Sequence, residues 1–167
     1  MASLKTAYAA SADATITLAS LATSADFLTG RQCTAIDNTT NLYLDYLLSG
    51  KVTVGTTPTA NTEIRIYVVA LLDDSTWPDT FGATDAGVTV TSVGVSRAML
   101  KLAATMTVDA TTSNRAYYFG PVSVAQLFGG VMPKKFAVYV AHNTAVNLNS
   151  TGGNHKIVTT PVFQTAA

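Results

Sequence analysis

Apolar and polar residues alternate with a period of two along most of this chain. Residues Glu63 to Leu72 alternate in their first half and are apolar on both faces in their second half. Residues Lys135 to Ala141 place Phe and Val on one side and Ala and Tyr on the other. This period is typical of β-strands, and a strand that is apolar on both faces is typical of the buried centre of a sheet. The same pattern predicts further strands at 41–48, 51–54, 88–91, 99–108, 115–119 and 157–163.

Turn residues separate these predicted strands. Ser49-Gly50 is predicted to be a turn, and residues 122–128 fit either one helical turn or a short strand. Pro161 cannot donate a ladder hydrogen bond, so the last strand is predicted to lie at a sheet edge. Roughly eight short strands with turns between them indicate an all-β fold, a β-sandwich of the jelly-roll or Greek-key kind.

The first 28 residues differ from the rest because they are small, polar and weakly patterned. We interpret residues 1–28 as an extended N-terminal arm and residues 29–167 as one β-sandwich domain. An arm of this kind can add a strand to the sheet edge of a neighbouring subunit, where main-chain hydrogen bonds supply the affinity. The apolar residues Ile16 and Leu18 are the first candidates for such a contact between subunits.

The composition favours a protein that works within an assembly. The chain is 48% hydrophobic, 12% charged and has zero net charge, whereas soluble domains carry about 25% charged residues. A nearly neutral surface promotes association. Nucleic-acid binding is not expected, because a basic stripe is missing, and neither is a membrane span, because no apolar run approaches about 20 residues. The lone Cys33 cannot form a disulfide within the chain and is expected to be a small buried hydrophobe, which favours a protein made in a cytoplasm.

No pattern of residues predicts catalysis. The nucleophile elbow, the P-loop and the Rossmann fingerprint are all missing from the sequence. His142 and His155 flank one loop but lack further ligands at a metal-binding spacing, so we expect surface histidines at strand ends. The aspartates at 73, 74, 79 and 85 do not follow the EF-hand spacing for calcium. We therefore expect no enzyme, no metal and no cofactor.

The segment Asp73 to Gly87 is a long polar insertion that contains the only Trp of the chain. Long loops are often functional or are ordered by contact. Trp77 and Phe81 are therefore candidates for contacts with a partner, because buried aromatic residues dominate interface energetics. Arg31 is a further candidate, since a guanidinium group can bind a partner carboxylate through two hydrogen bonds.

The order of these features resembles a known class of phage proteins. Residues 30–41, GRQCTAIDNTTN, lead into YLDYLL at 43–48, and GTTPTAN at 55–61 precedes IRIYVV at 64–69. Over residues 14–142 this order is similar to small virion proteins of tailed bacteriophages, in particular head decoration (cement) proteins with a β-sandwich body. The resemblance implies a non-enzymatic virion protein that binds the major capsid protein on the outside of the assembled head, often as a dimer or trimer. It carries no catalytic residues.

Two other functions stay open at this point. A carbohydrate-binding module would use Trp77 or the paired residues Tyr117 and Tyr118 to stack on sugars. A tail-associated β-sandwich would form rings. Both would have a neutral β domain like the one predicted here.

Overall fold

The computed structural model describes residues 3–166, and its strands form two antiparallel sheets packed face to face, which confirms the predicted all-β sandwich. The strands are β1 (Leu4–Tyr8), β2 (Ala12–Asp13), β3 (Thr29–Gln32), β4 (Ile36–Asp37), β5 (Asp45–Thr53), β6 (Thr62–Ala70), β7 (Ala86–Thr89), β8 (Lys101–Val108), β9 (Ala116–Ser123), β10 (Lys135–His142) and β11 (Lys156–Ala166). The helices are α1 (Val93–Met99), α2 (Val124–Leu127) and a 3₁₀ helix (Gly152–Asn154).

The strand order is β1-β11-β5-β9 in the first sheet, called sheet A here, and β7-β3-β10-β6-β8 in the second, sheet B. The short strands β2 and β4 pair with β11 and β10, respectively. Among the described strands, no strand pairs with the one that follows it in the chain. Contacts between distant parts of the sequence therefore hold both sheets together.

The core lies between the two sheets. The ring of Tyr46 on β5 meets the ring of Phe136 on β10 edge-on, with 5.3 Å between centroids. In sheet A, Leu48 and Val52 are fully buried on β5, while the residues between them are half-buried. In sheet B, β10 is buried on both faces.

The predicted turn at Ser49-Gly50 is wrong, because β5 runs through it as one strand. Gly50 lies against the backbone carbonyl of Lys156 and the ring of Phe119, so a Cβ at this position would collide with both. A glycine inside a strand can mark such a close backbone approach rather than a turn.

The predicted edge position of Pro161 is also wrong, since β11 lies between β1 and β5. The N–H of Ala9 donates to the carbonyl of Pro161 at 3.0 Å. In an antiparallel ladder the N–H and C=O of one residue point the same way. The missing N–H of Pro161 therefore faces the short gap between β1 and β2, where no ladder bond is lost.

The sequence pattern missed helix α1, whose residues precede β8. The hydroxyl of Ser92 accepts a hydrogen bond from the N–H of Val95 at 3.2 Å and caps this helix. The alternatives left open for residues 122–128 both occur: β9 extends to Ser123, and α2 begins at Val124.

The N-terminal segment pairs with both sheets of its own chain. Strands β1 and β2 pair with β11 in sheet A. Further along, the N–H of Thr34 donates to the carbonyl of Thr15, and that of Ser24 to the carbonyl of His142. The division at residue 28 stays a prediction, and the outer ends of the two predicted ranges, residues 1, 2 and 167, lie outside the described residues.

Candidate interaction surfaces

The two sheets differ in what covers their outer faces. The centre of the outer face of sheet B is covered by the chain itself: the ring of Phe81 packs edge-on against Tyr139 with 5.4 Å between centroids, and the hydroxyl of Tyr139 donates to the carbonyl of Leu28 at 2.8 Å. In sheet A, β11 alternates between buried Ile157 and Thr159 and the half-buried Val158 between them. One face of sheet A is therefore open to solvent, and we call it the open face.

The open face carries mainly apolar and hydroxyl side chains, together with two lysines and two aspartates. Its members, assigned from the strand register and the alternation of burial, are Leu4, Thr6, Tyr8, Asp13, Asp45, Leu47, Ser49, Lys51, Tyr118, Lys156, Val158, Thr160, Val162 and Gln164. Tyr118 is 72% exposed and pairs across strands with Lys51, which in turn pairs with Lys156. Lys156 forms an exposed ion pair with Asp13 at 3.2 Å. These two lysines flank a shallow depression of about 330 Å³ beneath Tyr118.

A second exposed apolar area lies where the segment before β5 meets the segment before β10. Leu42, Leu44 and Val131 project there around a shallow depression of about 280 Å³, and Leu42 is 72% exposed. Leu42 has a φ of +50°, a left-handed conformation that is strained for a bulky residue. The sequence pattern missed this area because it predicted a strand over 41–48, which includes Leu42 and Leu44. The nearby turn residues Asn38 and Asn41 were the signal that the strand begins later.

The buried side chain of Asn38 holds this loop in place. Its amide Nδ2 donates to the carbonyl of Tyr43 at 3.0 Å, and its Oδ1 accepts from the N–H of Tyr43 at 2.9 Å. Beside it, Lys135 pairs with Asp37 at 2.8 Å, and together with Thr39 it holds the pKa of Asp37 well below its usual value. The exposed leucines are thus presented by a loop that internal hydrogen bonds fix.

A cleft of about 460 Å³ lies on the outside of sheet B between α1 and the segment before β3. The guanidinium group of Arg65 lies there, 3.8 Å above the ring of Phe27, and pairs with Glu63 at 2.6 Å. Arg97 lines the same cleft from the last turn of α1. The charge of Arg65 is therefore already engaged by its own chain.

Arg31 is likewise engaged within the chain. Its Nε lies 2.6 Å from Oδ1 of Asp85, which also accepts hydrogen bonds from the N–H and hydroxyl of Thr17. Burial raises the pKa of Asp85, but Arg31 and Thr17 outweigh it and hold that pKa below 3.8. Asp85 thus joins both Thr17 of the N-terminal segment and Arg31 of β3 to the 73–87 loop, and Arg31 already pairs with a carboxylate of its own chain.

The structure does not bring the predicted contact residues together on one surface. Phe81 and Leu18 lie in the core, and Leu18 is only 1% exposed. Trp77 and Ile16 are partly buried and pack against that core. A strand that residues 14–18 added to a neighbouring subunit would first have to withdraw Leu18 from the core. The 73–87 loop is ordered by contacts with its own chain rather than by a partner.

The expectation of two surface histidines is wrong. His142 is fully buried, and its ring nitrogens lie 3.0 Å from the hydroxyl of Thr144 and 3.0 Å from the carbonyl of Leu21. His155 is partly buried, and its Nε2 lies 2.9 Å from the carbonyl of Asn149. Burial lowers the pKa of both rings below 6.5. The described residues contain no group of three or more His, Cys, Asp and Glu side chains that could hold a metal ion.

In residues 3–166, no helix combines the length and apolarity that a membrane crossing requires. A comparison of the chain with protein-family models, curated proteins and solved structures returned no match.

Proposed function

We propose that this protein is a non-enzymatic structural protein of a tailed-phage virion, a decoration (cement) protein that binds the outer surface of the assembled head and bridges subunits of the major capsid protein. The observation that carries the proposal is the asymmetry of the sandwich. The chain covers the centre of the outer face of sheet B with its own loops, whereas the open face of sheet A presents mainly apolar and hydroxyl side chains. Such a face suits docking onto another protein.

The chemistry of the open face fits a contact that is repeated many times. Leu47, Val158 and Val162 supply apolar area, while threonine and serine hydroxyls can exchange water for a partner's polar groups. A capsid presents many identical sites, so a modest interface gains in effective affinity when an oligomer engages several of them. Under this proposal the protein is made in the host cytoplasm and resides on the virion surface.

Co-sedimentation with emptied heads of the phage that encodes the chain tests the proposal. The protein is expected to pellet with heads, and Tyr118→Asp is expected to weaken that binding at least about tenfold, which corresponds to about 1.4 kcal/mol. The matched control is Leu102→Asp on sheet B, where Leu102 is 50% exposed and lies away from the open face. A protein that stays in the supernatant would contradict capsid binding. Equal binding by both variants would contradict the assignment to the open face.

A carbohydrate-binding module is the second candidate, and the exposure of Tyr118 favours it. The ring lies beside Lys51, above the depression on the open face, where a sugar could stack on the ring and accept hydrogen bonds from the lysine. Soluble oligosaccharides tested by calorimetry would then bind the protein and not Tyr118→Ala. Retention of sugar binding by that variant, or its absence from the unchanged protein, would exclude this use of Tyr118. Ring-shaped oligomers in electron micrographs would instead point to the tail.

A further inference from the structure

Strand β1 forms an edge of sheet A. Within the described residues, β1 pairs only with β11, and β2 continues along the same side of that strand. The other side of β1 faces solvent. An unpaired strand edge is a ready template for pairing with another chain, and proteins normally shield such edges with charge, proline or bulges. In β1 the only charged residue is Lys5.

The backbone groups that β1 offers to solvent follow from its pairing with β11. The N–H of Ala9 donates to Pro161, so Ala9 points its backbone groups towards β11. These directions alternate along an antiparallel strand. Ala7 and Lys5 therefore also face β11, and the free N–H and C=O groups belong to Leu4, Thr6 and Tyr8.

The side chains of the same three residues lie on the open face. Tyr8 is the cross-strand partner of Val162, which belongs to that face, and the side chains of cross-strand partners lie on the same side of a sheet. Leu4 is 70% exposed and Tyr8 is 63% exposed. Lys5 and Ala7 project to the opposite side. One edge thus combines free backbone groups with two large exposed apolar side chains.

We propose that two copies of this chain form a dimer by pairing their β1 strands antiparallel about a twofold axis through Thr6. In this register Thr6 lies opposite the partner's Thr6, and Leu4 lies opposite the partner's Tyr8. The residues with free backbone groups then form three residue pairs between the two copies. Each pair exchanges two hydrogen bonds, which gives about six in total. The two sheets A join into one continuous sheet with both open faces on the same side.

The distribution of residues in β1 selects this register over its neighbours. A pairing centred on Lys5 places the two lysines directly opposite each other, which is destabilising. A pairing centred on Ala7 leaves Leu4 outside the strand pair. The pairing centred on Thr6 places Lys5 opposite the partner's Ala7 and joins each Leu4 with an aromatic ring. Because the strand meets itself, each favourable contact occurs twice.

The first test is the native mass of the full-length protein by light scattering, which is expected to be twice the chain mass of 17.4 kDa. The second is disulfide cross-linking with diamide. Thr6→Cys is expected to form a covalent dimer. The Cα atoms of a hydrogen-bonded antiparallel pair lie about 5.5 Å apart, a distance that a disulfide can bridge. Lys5→Cys is the matched control, since the two Lys5 positions are diagonal at about 7–8 Å, beyond the usual range for a disulfide.

The native thiol does not interfere with the cross-linking. Cys33 is buried, and burial raises its pKa to about 11, so the unchanged protein is expected to remain uncross-linked. Leu4→Cys and Tyr8→Cys should form little covalent dimer alone and should cross-link when the two are mixed. The Thr6→Cys reaction should be on the order of tenfold faster than that of Lys5→Cys.

A native mass of one chain or three chains would overturn the proposal, and so would cross-linking of Lys5→Cys at the rate of Thr6→Cys. If a cysteine variant does not fold, the mass of the unchanged protein still decides between dimer and monomer. Neither measurement involves a capsid. A monomer would therefore overturn the dimer and leave capsid binding to its own co-sedimentation test.

Discussion

The side-chain amide of Asn38 forms two hydrogen bonds with the backbone of Tyr43, one with its N–H at 2.9 Å and one with its carbonyl at 3.0 Å. Asn38 is only 5% exposed, so water cannot replace these bonds easily. The N–H of Leu42 also donates to the backbone carbonyl of Asn38 at 3.1 Å. One buried side chain thus fixes the loop that presents Leu42 and Leu44 to solvent.

Replacing Asn38 with Ala should destabilise the protein by about 1–3 kcal/mol, because buried polar groups lose their partner. Urea unfolding followed by circular dichroism measures this change. The matched control is Asn41→Ala in the same loop, where the side chain is exposed. Its unfolding midpoint should stay close to that of the unchanged protein. Equal midpoints for the two variants would contradict a structural role for the Asn38 amide.

Phe81 provides a test of whether a residue serves the core or an interface. Phe81→Ala should lower the free energy of unfolding by about 3–5 kcal/mol, as for other buried aromatic residues. Tyr118→Ala removes an aromatic ring of similar size from an exposed position and should change stability by less than about 0.5 kcal/mol. Thermal unfolding of both variants makes the comparison. A small decrease in the stability of Phe81→Ala would contradict a structural role and would favour the prediction that Phe81 contacts a partner.

Asp85 should matter for stability through its charge. Asp85→Asn keeps the shape of the side chain but weakens its bonds with Arg31 and Thr17. We expect the free energy of unfolding to fall by about 2 kcal/mol, which lies within the range for hydrogen bonds to charged groups. Asp74→Asn is the control, since Asp74 pairs with Lys134 at an exposed position. Chemical unfolding at pH 7 should show little effect for Asp74→Asn. If the two variants lost similar free energies of unfolding, the partly buried Arg31–Asp85 pair would contribute no more to stability than the exposed Lys134–Asp74 pair.

The sequence predicted the layers of the sandwich better than it predicted the surfaces. The apolar second half of the 63–72 run correctly indicated a strand buried on both faces, and the patterns at 135–141 and 157–163 correctly indicated strands. The pattern could not show that Phe81, in a polar loop, packs on Tyr139, which lies 58 positions later in the chain. Nor could it show that Arg31 meets Asp85. Such contacts depend on a topology in which no described strand pairs with its neighbour in sequence.

Some residue types also led to wrong predictions, because contacts with distant parts of the chain determine their role in the fold. Pro161 correctly indicated a missing ladder donor, but the gap between β1 and β2 accommodates it inside the sheet. Gly50 indicated a turn, whereas the close approach of β11 requires a glycine within a strand. Leu42 and Leu44 fitted the strand period but precede β5. In each case the residue type was informative, and the partner that explains it lies far away in the sequence.

The buried histidine His142 should make the protein less stable in mild acid. The carbonyl of Leu21 can only accept, so Nε2 of the neutral ring carries the proton. Nδ1 then has no proton, and the single hydroxyl proton of Thr144 is shared between Nδ1 and the carbonyl of Val146, each at 3.0 Å. Burial lowers the pKa of His142 in the folded protein, and the charge of His155 acts in the same direction. The unfolded chain therefore binds more protons than the folded one as the pH falls through the ordinary value of 6.5. Stability is fully present above that pH and declines below it.

Urea unfolding at intervals between pH 8 and pH 5 measures this dependence. The free energy of unfolding should fall towards pH 5 in the unchanged protein. His142→Asn should be less stable than the unchanged protein at pH 8 by about 1–3 kcal/mol, because buried partners lose their hydrogen bonds, but its stability should depend less on pH. His155→Asn should keep most of the slope, since that ring is less buried. If His142→Asn retained the full slope, the acid sensitivity would have to arise elsewhere. Asp85 could not supply this acid sensitivity. Because its pKa lies below 3.8, its carboxylate stays charged and keeps its contribution to stability throughout the interval from pH 8 to pH 5.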